Sequence, residues 1–111
     1  MNNQIKESDW KKMRKIKDEL LNKACDDILA DLEGLIAERT GREHKTYQEL
    51  WKRLKQRDQA IASMFDDLRR STAVIKLTNW VDYGLISLED IEDFSEETKD
   101  KVKSLLEIRY R

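Results

Sequence analysis

The chain has no proline, one cysteine, one histidine and three glycines among 111 residues. One cysteine excludes an internal disulfide framework, and one cysteine with one histidine excludes a Cys/His zinc site of standard spacing. Gly34, Gly41 and Gly84 stand alone, so there is no glycine-rich loop to cradle a phosphate, and no serine sits in a nucleophile-elbow context. No apolar run approaches the roughly 18–20 residues that a membrane span needs, so the membrane is not an expected partner. Residues 1–7 carry no apolar signal region, from which a cytoplasmic location is expected, and they are expected to be disordered. No cofactor motif is present.

What is abundant is charge: 22 Lys and Arg against 23 Asp and Glu, 41% of the chain, at a net −1. With Lys, Glu, Leu and Arg plentiful, helix is favoured almost throughout. A chain of this length suits one domain, able to bury roughly two-thirds of its unfolded surface.

Between Ser8 and Gly41 the apolar residues Trp10, Met13, Ile16, Leu20, Ala24, Ile28, Leu32 and Ile36 recur by threes and fours, which predicts one long helix. Thr46-Tyr47-Gln48-Glu49 fits a capping box, and Tyr47, Leu50, Trp51, Leu54, Ile61, Phe65 and Leu68 then form one stripe. That predicts a second helix from about Tyr47 to about Arg69, with the stripe in the core. A third helix follows Ser71 or Thr72 and stops at Gly84. Ser87 opens a one- or two-turn helix, and Ser95 caps a last helix holding Val102, Leu105, Leu106 and Ile108. The expected fold is all-α: a helical bundle with a long N-terminal helix, a second long antiparallel helix and a shorter C-terminal helical cap, in a single domain.

Charge is distributed in blocks. Residues 24–38 hold five acids and no base, net −5. Residues 39–57 hold seven bases and two acids, net +5. Such blocks can complement one another across a bundle or between chains, and are otherwise solvated faces.

Four constellations bear on function. The basic block contains Arg39, Arg42, His44, Lys45, Lys52, Arg53, Lys55 and Arg57 with Tyr47 and Trp51 among them, as nucleic-acid binding requires. Against that, both aromatics lie on the predicted core stripe, and the isoelectric point near 5.9 is far from basic. Asp26, Asp27, Asp31, Glu33 and Glu38 form an acidic set that could hold Mg²⁺, but without the Glu-x-x-His pairs of di-iron bundles. Cys25 lies on the apolar stripe of the first helix, and only His44 could serve it as a base. Asp58 falls about 40° from Leu54, inside the predicted buried sector of helix two. A buried carboxylate needs a partner, and Arg57, Arg69 and Arg70 are the cations at hand. A structural ion pair is expected there, with a polar ligand or partner site as the alternative.

Several segments resemble a group of small all-helical bacterial proteins of uncharacterised function. The matching residues are Arg57-Asp58, Ile61-Ala62, Phe65-Asp66, Arg69-Arg70-Ser71-Thr72-Ala73, Gly84-Leu85-Ile86 and Phe94-Ser95-Glu96-Glu97-Thr98. The resemblance covers about the second half of the chain and implies a helical architecture, with no activity. Some members carry a label linking them to the substrate-binding component of peptide transporters. The small size and the lack of a signal region or lipidation cysteine argue against that role here.

The reading that follows is a non-enzymatic protein–protein interaction or regulatory module acting as a homodimer. The alternatives are a nucleic-acid-binding protein using segment 39–57, and an enzyme with a helix-borne acidic metal site. Self-association is expected through the first helix, which at 1.5 Å per residue measures about 45 Å against about 34 Å for a compact domain. Its apolar residues are spaced by four, so the stripe turns about 40° at each step and one partner helix cannot cover it all. Trp10, Met13, Ile16 and Leu20 are accordingly expected to lie exposed and to form the dimer contact.

Overall fold

The computed structural model describes residues 4–111. Four helices follow in order: α1 Glu7–Ala37, α2 Glu43–Phe65, α3 Ala73–Tyr83 and α4 Glu96–Arg109, with a 3₁₀ turn at Glu89–Ile91 before α4. There is no strand among the described residues, and the fold is an all-α bundle.

α1 runs unbroken for 31 residues through Gly34 and ends at Ala37, just past Ile36, the last residue of its predicted stripe. The five residues between α1 and α2 reverse the chain, with Gly41 at φ +80°, and α2 then runs antiparallel to α1. α2 begins at Glu43, so the predicted capping box does not form. Gly41 N–H is accepted by the Glu43 carboxylate at 3.1 Å, and Thr46 lies one turn inside the helix with its N–H already bonded to the Arg42 carbonyl. α2 also ends at Phe65 rather than Arg69. Asp66 turns extended and Asp67 takes φ +56°, and the Thr72 hydroxyl bonds to the carbonyls of Asp67 and Arg69. Short polar side chains here offer the backbone an alternative to helix. Gly84, at φ +86°, closes α3 as predicted, its N–H bonded back to Val81. Ser87 and Asp90 bond reciprocally at the 3₁₀ turn, and the Ser95 hydroxyl accepts from Thr98 N–H to cap α4.

The core gathers at one end. Met13, Leu20 and Ala24 of α1 pack with Met64 of α2, Leu77 and Trp80 of α3, Ile91 and Phe94, and Val102 of α4. Trp80 is fully buried, its indole N–H donates to the Met64 carbonyl at 3.0 Å, and its ring lies 5.6 Å from that of Phe65. Ile5 is buried with them, and its carbonyl accepts from Arg70. Residues 1–3 of the segment expected to be disordered lie outside the described residues. The rest of it is ordered at least as far as Ile5 is packed and Glu7 begins α1.

Away from that core, the second half of α1 and the first half of α2 extend together as a two-helix hairpin. The molecule measures 58 × 32 × 24 Å, with a radius of gyration of 16.9 Å against about 13 Å for a compact chain of this length. The long helix projects as predicted, but by its C-terminal end. α1 packs chiefly against α2, and at its early end the core cluster adds Met64 from the end of α2, Leu85, Ile91 and Phe94 of the connecting segment, and residues of α3 and α4.

Candidate functional site

That arrangement overturns the predicted contact surface. Met13 is fully buried, Leu20 is 8% exposed, and Trp10 and Ile16 pack half-buried against the core. They are covered by the C-terminal elements of their own chain, an outcome that sequence spacing alone does not select.

Among the described residues, five of the ten exposed large apolar side chains lie on the hairpin, while Ile75, Tyr83, Leu88, Ile108 and Tyr110 lie in the C-terminal part of the chain. Leu29 is 58% exposed, Tyr47 62% and Trp51 58%, with Ile36 and Leu54 at 38% and 39%. The three α2 residues belong to the stripe predicted to be core. They stay outside because the first half of α2 meets α1 through a different, polar side. Thr46 is buried there, and Arg53 and Arg57 both reach Asp31 of α1, at 3.3 and 3.6 Å. Arg53 is held further by Glu49 at 3.0 Å, and this pairing raises its pKa.

Helix register shows how the exposed residues lie relative to one another. On α1 the positions facing α2 are Ile28, Leu32 and Leu35, and Leu29 and Ile36 stand about 75–95° from their centre. On α2, Thr46 and Arg53 face α1. Tyr47 and Leu54 stand about 90–110° from their centre and Trp51 about 150°. Seen from the tip, residue order turns counterclockwise on one helix and clockwise on the other, because the two are antiparallel. The offsets therefore fall on the same side. Five large apolar side chains from two helices form one face, with the Asp31–Arg53–Arg57 cluster on the other side.

The other predicted sites do not assemble. Asp58 is exposed and has no hydrogen-bond or ion-pair partner among the described residues. Arg57 donates to the Tyr83 hydroxyl and pairs with Asp31, Arg69 pairs with Asp67, and Arg70 donates to the Ile5 carbonyl. Asp58 shares the solvent-facing sector with Trp51, and α2 ends before Arg69 and Arg70, so helical angles do not relate them to it. No group of three or more His, Cys, Asp or Glu side chains is placed to hold a metal ion among the described residues, and Asp31 of the acidic set is engaged by arginines. Cys25 is a free, half-buried thiol. His44 lies in the first turn of α2, some 16 Å further along the hairpin and out of its reach. No described helix is long and apolar enough to cross a membrane.

The sequence reading missed a buried acid, Asp9. It is fully buried near the start of α1 and accepts from Ser95 N–H at 3.0 Å, Ser95 Oγ at 2.6 Å and Thr98 Oγ1 at 2.7 Å. Burial alone would raise its pKa, but the donors of Ser95 and Thr98, with the charge of Lys12, outweigh that and hold it below the ordinary value. This carboxylate ties the start of α1 to the start of α4, and its own donors occupy it. Two signals were in the sequence: Asp9 stands in the first helical turn, where an acid suits the helix dipole, and at 100° per residue it falls within about 40° of Met13, Ile16 and Leu20 on the apolar stripe.

No protein family, curated protein or solved structure matches the chain.

Proposed function

We propose that this protein is a non-enzymatic protein–protein interaction module acting in the cytoplasm, with the hairpin face as its contact surface. The observation that carries this reading is the exposure of Leu29, Ile36, Tyr47, Trp51 and Leu54 on one side of a projecting hairpin. Their exposed area is on the order of 500 Å², in the range of the largest patch on a typical monomer, and such patches are often functional. Aromatic residues are also the types that dominate binding energy at interfaces. A photoreactive amino acid at position 51 or 29 in living cells tests it. Covalent protein adducts are expected from both, with none from the exposed position 59. Absence of adducts at 51 and 29, or equal labelling at 59, would overturn the reading.

A second reading draws on the same observation. Tyr47 and Trp51 stand exposed one turn apart, beside the cations of segment 39–57, which suits stacking of single-stranded nucleic acid. Adducts sensitive to nuclease would favour it. So would binding to an oligonucleotide that weakens steeply between 50 and 200 mM salt.

A further inference from the structure

We propose that a second copy of this chain covers the hairpin face. A twofold axis parallel to the hairpin would set α1 of each protomer over α2 of its partner, with both tips at the same end. This rests on the interaction-module reading and names its occupant.

Two observations select the arrangement. The first is charge. Apart from Asp31, Glu49, Arg53 and Arg57, which pair within the chain on the other side, the α1 limb keeps four acids and no base, and the turn and α2 limb keep five bases and one acid. A twofold axis along the hairpin lays acidic limb over basic limb twice. An axis across the hairpin would lay α1 on α1 and α2 on α2, like charge on like, which is penalised. The charges at the outer rims are available, because Asp26, Glu33 and Lys55 have no ion-pair partner among the described residues of their own chain.

The second observation is register. Counted from the tip at 1.5 Å per residue, Leu29 and Trp51 both lie about 12 Å down, and Asp26 and Lys55 lie about 17 and 18 Å down. Under the proposed axis, heights are kept and the limbs exchange. Each Leu29 then meets the partner's Trp51, and each Asp26 comes level with the partner's Lys55 at the rim. Ile36 and Tyr47, about 2 and 6 Å down, complete the contact near the tip. The result is a four-helix layer in which every neighbour is antiparallel, as in up-down bundles. Burying about 500 Å² from each side gives a total near 1,000 Å², the lower bound for a specific interface, so dimerisation should depend on concentration.

The test uses the full chain with Cys25→Ser to remove the native thiol. Leu29→Cys and Trp51→Cys chains are oxidised alone and as a mixture. A disulfide-linked dimer is expected from the mixture and little from either chain alone. Light scattering of the wild type at tens of micromolar should give about twice the 13.2 kDa chain mass, falling on dilution. Asp26→Lys and Lys55→Asp should each weaken association by about three- to tenfold, and the two together should restore it. About 0.5 M salt should erase the differences. A monomer at 100 μM overturns the proposal. If photo-adducts at position 51 then contain a different protein, the interaction-module reading stands while self-pairing fails. A dimer in which Leu29→Cys links to itself overturns the arrangement. Trp51→Glu, on an exposed position, should retain the wild-type thermal midpoint at concentrations where the wild type is monomeric, which separates loss of contact from loss of fold.

Discussion

A carboxylate taken out of water is costly unless its oxygens find donors, and Asp9 finds three. Asp9→Ala would leave those donors unpaired and should cost about 2–4 kcal/mol, read as a lower midpoint in urea. Asp9→Asn keeps the shape, loses the charge-assisted bonds and should cost less. Because the folded pKa lies below the ordinary 3.8, the stabilisation from ionised Asp9 is complete above that value and is lost as pH falls through the folded pKa. The stability gap between wild type and Asp9→Asn should therefore be constant near neutrality and shrink below about pH 4. A gap that instead widened on acidification would mean that Asp9 is not held ionised. Thr46 is the converse case. Its hydroxyl is buried without a partner, the one side-chain polar atom so placed among the described residues. Thr46→Val keeps the branched shape and should leave stability unchanged or raise it by about 1 kcal/mol in thermal melts.

Among the elements, α3 and α4 were legible because their boundaries depend on local chemistry. Gly84 supplies the left-handed residue that ends α3, and Ser95 supplies the cap that starts α4. Gly84→Ala has open space around the new methyl group, so only the positive φ opposes it, and a loss of about 1–2 kcal/mol is expected in thermal melts. α2 departs from its predicted bounds at both ends. Thr46-x-x-Glu49 has the capping-box pattern, yet the chain enters helix four residues earlier, with Glu43 accepting from Gly41 N–H. A pattern shows that a cap is available and does not show that the preceding residues are non-helical. The stripe of α2 was read correctly as apolar and assigned to the wrong environment, since periodicity finds a face without naming what covers it.

At the scale of the whole molecule, stability is uneven. Trp80, Leu77, Met13 and Val102 are fully buried at one end, while the hairpin tip holds mainly half-buried and exposed side chains. Amide exchange should be slowest in α3 and the middle of α1, and faster across residues 35–48. On raising the concentration into the range where copies pair, protection should rise along the hairpin and stay constant in α3. Uniform protection across α1 would show that the hairpin is as firmly held as the core. Solution scattering of the monomer should give a radius of gyration near 16.9 Å, where a compact bundle of this length would give about 13 Å.

The all-α class, the long first helix, the stop at Gly84 and the start at Ser95 follow from the sequence by itself, because propensity, spacing and capping act over a few neighbouring residues. The 40° drift of the α1 stripe was equally local, and it required more than one partner. Which partner takes which stretch was decided only by tertiary packing. Met13 and Leu20 are buried in one cluster with Met64, Trp80, Phe94 and Val102, and α2 approaches the later stretch through Thr46, Arg53 and Arg57. That choice leaves Leu29, Tyr47 and Trp51 in solvent and pairs Asp9 with Ser95, 86 residues away. A helix with two amphipathic options commits to one when its neighbours arrive, because burial depends on the whole arrangement and not on the residues that carry it.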